Sequence, residues 1–158
     1  KKEHETVEKI INPVAISGKS ELNLDLKRTI IPIEKGTDLA KVLNISIIYF
    51  DLDKWNIRTD AAEDLEKIIV VMQQYPSISI DIRSHTDSRQ THQYNESLSD
   101  RRAKSTLEFM VKNGINRQRL KAKGYGETQL INNCADGVNC SEEDHQKNRR
   151  SEFIILKM

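Results

Sequence analysis

Asp87 and Arg102 are an acid and a base that secondary structure can bring to one cleft. Ser84-His85-Thr86-Asp87 stands where an alternating apolar segment runs out into polar sequence, a position from which side chains commonly address a ligand. Asn95 and Arg102 are seven residues apart, which on a helix puts them on nearly one face, about 10 Å apart along the axis. A guanidinium can take a carboxylate bidentately, and a carboxylate can take an ammonium. Such a cleft suits a zwitterion, and the nearby helix N-terminus would add backbone N–H groups for the anionic end. Taken by spacing alone, Asp87 and Arg102 could equally pair with each other or with water.

Catalytic chemistry lacks its parts. No Gly-x-Ser-x-Gly elbow accompanies Ser84, His85 and Asp87, and a triad would need three groups converging in space. His4, His85, His92 and His145 show no His-Glu-x-x-His or other paired metal spacing. No metal, cofactor or catalysis is expected, and His85 is read as a hydrogen-bonded structural residue. Cys134 and Cys140 flank a turn-forming Asp-Gly in a polar loop. They can close a disulfide, which would imply an oxidising compartment, or stand as two unpaired thiols. Four ligands at zinc spacing are absent.

The elements that must position these groups are legible in the periodicity. Ile45 to Phe50 reads as a buried strand. Ala61, Leu65, Ile68, Ile69 and Met72 follow at helical spacing, with Thr59 or Asp60 as cap, Glu63 completing a capping box and Pro76 after the end. Ile78, Ile80 and Ile82 alternate with Ser79, Asp81 and Arg83, a strand with one covered face. After the loop Ser84 to Tyr94, a second helix starts near Asn95. Ala103, Thr106, Leu107, Met110 and Val111 form its buried face, and Asn113-Gly114 ends it. Arg119 to Lys123 and Phe153 to Leu156 are further strands. A long polar loop, 128 to 147, separates them, with a helical turn at Ser141 to Gln146. The order βαβαββ predicts an α/β (α+β) sandwich, a mixed sheet with helices on one face.

Residues 1–43 differ. Leu22, Leu24 and Leu26 alternate with polar residues, and Ile30, Ile31 and Ile33 surround Pro32. They are expected to be the tail of a preceding β-domain or an extension packed on the main domain, 44–158. The chain has 158 residues, 25 Lys+Arg against 24 Asp+Glu, and a formal charge of +1, so the clustered basic excess of a nucleic-acid binder is missing. At 5% aromatic, it also lacks stacking platforms for single strands. No apolar run approaches the ~20 residues of a membrane span, and no signal peptide opens the chain. Since it starts without Met, it is expected to be a segment of a larger protein.

Five blocks give these elements a family likeness. Tyr49-Phe50-Asp51-Leu52-Asp53-Lys54, Ser84-His85-Thr86-Asp87-Ser88, Asn95-Glu96-Ser97-Leu98-Ser99-Asp100-Arg101-Arg102-Ala103, Gly124-Tyr125-Gly126-Glu127 and Asn148-Arg149-Arg150-Ser151-Glu152 occur in that order. Together they resemble the OmpA-like peptidoglycan-binding domain, related to Pal and MotB, over roughly Ile45 to Lys157. The resemblance implies a ligand, the diaminopimelate-containing stem peptide of peptidoglycan, whose free end presents an ammonium and a carboxylate. Asp87 would take the ammonium and Arg102 the carboxylate. Thr86, Asn95, Asp53 and Arg149 would stand beside them. It also implies the periplasmic face of a Gram-negative outer membrane and attachment to a larger outer-membrane-associated protein; pairing with a second copy stays open. Ser84 replaces the family's usual Gly, which matters only if the backbone there has positive φ. The competing reading is a protein-interaction module on the same fold, with Glu142-Glu143-Asp144 and Arg149-Arg150 facing a partner, although such runs are usually solvated faces.

Overall fold

The computed structural model describes residues 3–4, 28–29, 34–45, 48, 50 and 54–158. The chain divides into two units, Lys1–Pro32 and Ile33–Met158. In the first, strand β1 (Glu3–His4) pairs antiparallel with β2 (Arg28–Thr29). The leucine alternation at 22–26 and the isoleucines 30, 31 and 33 lie outside the described residues. The second unit begins ahead of the Leu43/Asn44 boundary expected from sequence. Its short helix α1 (Leu39–Val42) is capped by Asp38, whose Oδ1 accepts from Ala40 N at 3.1 Å and from Phe153 N at 2.9 Å. One carboxylate therefore fixes the helix start to a strand.

Helix α2 (Thr59–Gln74) buries Ala61, Leu65, Ile68, Ile69, Val71 and Met72. Its expected capping box does not form: Arg58 is the cap residue, and Asp60 instead accepts from the Arg58 Nε at 3.0 Å and from Ala61 N at 2.9 Å. At the other end, Arg119 donates to the carbonyls of Met72, Tyr75 and Ile78 at 2.7, 3.0 and 2.8 Å. That side chain ties the end of α2 to the residue before β3, and at Met72 it satisfies an acceptor that helix geometry leaves without an intrahelical partner.

Three described strands make the sheet. Strand β3 (Ser79–Ser84) is central, parallel to β4 (Leu120–Gly124) and antiparallel to β5 (Ser151–Lys157). Ile82 faces Ala122 on one side and Phe153 on the other; Ile80 faces Leu120 and Ile155. Ile80, Ile82 and Phe153 are fully buried, because alternation sends every second side chain of β3 to the covered face. Of the expected strand Ile45 to Phe50, residues 46, 47 and 49 lie outside the described residues, and Ile45, Ile48 and Phe50 belong to no assigned strand. Helices pack against this mixed sheet, in the order expected of the βαβαββ sandwich. Among the described residues no helix is long and apolar enough to cross a membrane.

Helix α3 (His92–Lys112) connects β3 to β4 and has a divided buried face. Ala103, Thr106, Leu107 and Met110 enter the apolar core, whereas the preceding turns bury Asn95, Ser99 and Arg102. The same helical period thus builds core at one end and a polar site at the other. Its start lies a turn before Asn95: Thr91 caps it, accepting from Tyr94 N at 3.3 Å. Helix α4 (Glu142–Asn148) is the turn expected within the long loop, shifted by one residue at its start and two at its end.

Candidate functional site

Strand β3 ends at Ser84, and the chain continues extended through His85 and Thr86 to Asp87. Ser84 pairs with both Gly124 and Ser151 and is absent from the positive-φ positions, so the backbone there is ordinary β. His85 N donates to Arg150 O and Thr86 N to Gly126 O, both at 2.9 Å. These bonds extend the sheet past its formal end and hold Asp87 where strand gives way to loop. A cavity of about 610 Å³ opens there. Ser84, Thr86, Asp87, Asn95, Arg102 and Arg149 all line it. The acid and base expected to flank one cleft do so. Asp53 lies outside the described residues.

Asp87 is buried and held from two sides. Its Oδ2 accepts from Arg89 Nη2 at 2.9 Å and from Arg149 Nη1 at 2.5 Å; its Oδ1 accepts from Arg89 N at 3.0 Å. Burial pushes the carboxyl up, but the Arg89 and Arg149 hydrogen bonds outweigh it and hold Asp87 below its ordinary value. Arg102 is buried on the helix side, where its Nε donates to Lys54 O at 3.0 Å and its guanidinium lies 5.0 Å from the Phe50 ring centroid. Packing and hydrogen bonding fix the orientation of this cation.

Asn95 acts chiefly as a brace. Its Nδ2 donates to Asp87 O at 3.2 Å and to the Glu127 carboxylate. Its own N–H bonds Thr91 O at 3.0 Å, so the helix-end donor expected there is taken within the helix. Thr86 differs from its neighbours: its Oγ1 is buried and has no hydrogen-bond partner among the described residues. A buried hydroxyl without a partner carries a desolvation penalty that a ligand's polar group can relieve.

His85 corrects an expectation. Among the described residues both ring nitrogens lack hydrogen-bond partners; the ring stacks on Tyr125, with centroids 5.5 Å apart, and approaches Glu152 Oε2 only to 3.7 Å. His85, with Arg150 donating to Oε1 at 2.8 Å, holds Glu152 down to about 2. Of those two contacts, only the Arg150 one has hydrogen-bond length.

The long loop reaches the cleft through α4. Cys134 and Cys140 form the disulfide, their Cα atoms 5.9 Å apart. Ser88 Oγ, next to Asp87, donates to Cys134 O at 2.7 Å. Asn148 donates to Asn132 Oδ1 at 2.7 Å, and Asn132 donates to Asp144 O at 2.8 Å, fastening the loop to α4. Glu142 and Gln146 consequently line the cavity beside Arg149. Sequence reasoning missed Arg89, Glu142 and Gln146. Only Arg89 gave a local signal, a long cation two residues beyond Asp87. Gln90, also on the lining, has φ 105, a conformation costly for a residue with a Cβ. Among the described residues no group of three or more His, Cys, Asp or Glu could hold a metal ion.

A mixed sheet with packed helices thus carries a charged cleft at its strand ends. The OmpA family profile matches residues 49–144, more than half of the chain, and the chain belongs to that family. As a member it is a binding module and not an enzyme. Among curated proteins it is similar to the Photosystem I P700 chlorophyll a apoprotein A2 of Gloeobacter violaceus, 41% identical over 126 residues, covering 78% of this chain and 14% of that protein. It is also similar to the peptidoglycan-associated lipoprotein of Brucella melitensis, 36% identical over 108 residues, covering 68% of this chain and 61% of the relative. The chain therefore spans less than two thirds of either relative's length. Among solved structures, the peptidoglycan-associated lipoprotein from Burkholderia pseudomallei shares the fold at TM-score 0.63 and 22% identity, over 72% of this chain and 92% of that one. The C-terminal domain of Helicobacter pylori MotB gives TM-score 0.61 and 26% identity, over 70% and 84%.

Proposed function

We propose that residues 44–158 bind peptidoglycan non-covalently, receiving the free end of a diaminopimelate-containing stem peptide in the Asp87–Arg102 cleft. Asp87 takes the ammonium and Arg102 the carboxylate. Thr86 offers its hydroxyl, Asn95 steadies the Asp87 backbone, and Arg149, bonded to Asp87, borders the pocket. Asp53 is assigned to the same ligand through the family likeness. The observation that carries this reading is one cavity lined by a buried carboxylate, a buried guanidinium and a buried hydroxyl without a partner among the described residues. The names of the lipoprotein relatives support peptidoglycan as the partner.

The same likeness and the Cys134–Cys140 disulfide support a place on the periplasmic face of the outer membrane, where thiols oxidise. There the domain would anchor a larger outer-membrane-associated protein to the wall. Co-sedimentation with purified cell-wall sacculi tests this. Wild type should pellet with the wall and Asp87→Ala should stay in solution while remaining folded. Equal pelleting of both would reject the site, and no pelleting of wild type would favour a protein partner for this fold.

A further inference from the structure

The rim of the cleft holds a second carboxylate. Arg89 Nη1 donates to Glu142 Oε2 at 2.8 Å, and Arg149 Nη2 donates to Glu142 Oε1 at 2.6 Å. These are the two arginines that also grip Asp87. The two acids differ in setting: the Asp87 side chain is 8% exposed and that of Glu142 67%. Asp87 belongs to the buried floor, whereas Glu142 reaches in from α4 across the solvent edge.

We propose that Arg89 and Arg149 form a second carboxylate seat at the rim, filled by Glu142 in the unliganded protein and yielded to a second carboxylate of the ligand. This deepens the stem-peptide reading and, for the choice of ligand, rests on it.

Three physical points support the exchange. A guanidinium presents five N–H donors, so each arginine can serve Asp87 and one further anion together. An ion pair open to water is weak, because solvent already competes for both partners; replacing Glu142 by another carboxylate therefore forfeits little. Released into solvent, Glu142 regains hydration and rotamer freedom. A carboxamide cannot replace it on equal terms: it carries no negative charge, and it offers one acceptor oxygen where a carboxylate offers two to the guanidinium forks. Charge complementarity points the same way. Five arginines and two carboxylates are among the described residues lining the cavity, a setting that favours a ligand carrying more than one negative group. The seat would thus separate stem peptides with a free second carboxylate from those in which it is amidated.

Calorimetry of wild type and Glu142→Gln with two diaminopimelate-containing stem peptides, differing only in one free carboxylate against its carboxamide, tests the seat. Glutamine keeps the shape and removes the competing charge, and a side chain this exposed is no determinant of folding. The variant should bind the acid peptide about two- to fivefold more tightly than wild type, with its affinity for the amide peptide unchanged. An equal effect on both peptides, or none or a loss with the acid peptide, would overturn the seat. A parallel titration with glutarate, followed through the Arg89 and Arg149 Nε–Hε resonances, keeps the two readings apart. If wild type bound neither peptide, the stem-peptide reading would fall. Tighter glutarate binding by Glu142→Gln would then still support the seat, and equal binding would overturn it.

Discussion

At Asp87, burial and hydrogen bonding act on one carboxyl in opposite directions. Burial disfavours the charge, and the Arg89 and Arg149 donors restore it with some to spare, so the folded-state value lies below the ordinary one. A depressed carboxyl keeps its charge above that folded value and loses it only as pH falls through it. Stem-peptide affinity should therefore persist down through pH ~4, the ordinary range for aspartate, and fail below it. Arg149→Gln removes one donor and should move that failure to higher pH. Titrating wild type and variant with the same peptide cancels the ligand's own ionisation. Coincident pH profiles would show that the Arg149 contact does not govern Asp87. Glu152 follows the same sign, so its share of stability is complete above pH 4.5 and fades as pH falls towards 2.

Among the elements, the seam between α3 and β4 decides whether the cleft exists. A Cβ at Gly124 would run into the Asp100 N–H and Ser99 backbone, and one at Gly126 would meet Glu96 N at 3.0 Å. Ser99 Oγ accepts from Gly126 N at 2.8 Å and donates to Glu96 O at 2.9 Å, closing helix onto turn. Gly124→Ala should therefore cost about 1–3 kcal/mol or more, read as a lower urea midpoint. It should also weaken ligand binding, because Asn95 and Arg102 ride on the displaced helix. An unchanged midpoint would mean that the seam yields without cost. Much of this architecture was legible in the sequence because it is periodic: the isoleucine alternation of β3 and the 3.6-residue spacing in α2 and α3 depend on near neighbours. The positions of Asp87 and Arg102 came from a strand end, one helical face and five recognisable blocks. The Glu142 bridge did not, since it joins residues that local spacing cannot relate. His85 was misread because a buried histidine ordinarily finds hydrogen bonds, and here Tyr125 supplies a stacked ring instead. The capping box failed because Arg58 claims Asp60 by charge.

On the scale of the whole molecule, one cleft of this size buries little ligand surface, so the proposed affinity rests on a few charge-assisted contacts. Weak single sites suit a wall that presents the same stem peptide many times, where tethering and repeated copies supply avidity. Wall binding by this chain stands or falls with the Asp87–Arg102 cleft. Calorimetric titration of the chain with a diaminopimelate-containing stem peptide, for wild type, Asp87→Ala and Arg102→Ala, addresses it most directly. Wild type should bind saturably, and each folded variant should lose about 2 kcal/mol or more, roughly thirtyfold. Undiminished binding in either variant, or no saturation of wild type at millimolar peptide, would contradict wall binding through this cleft.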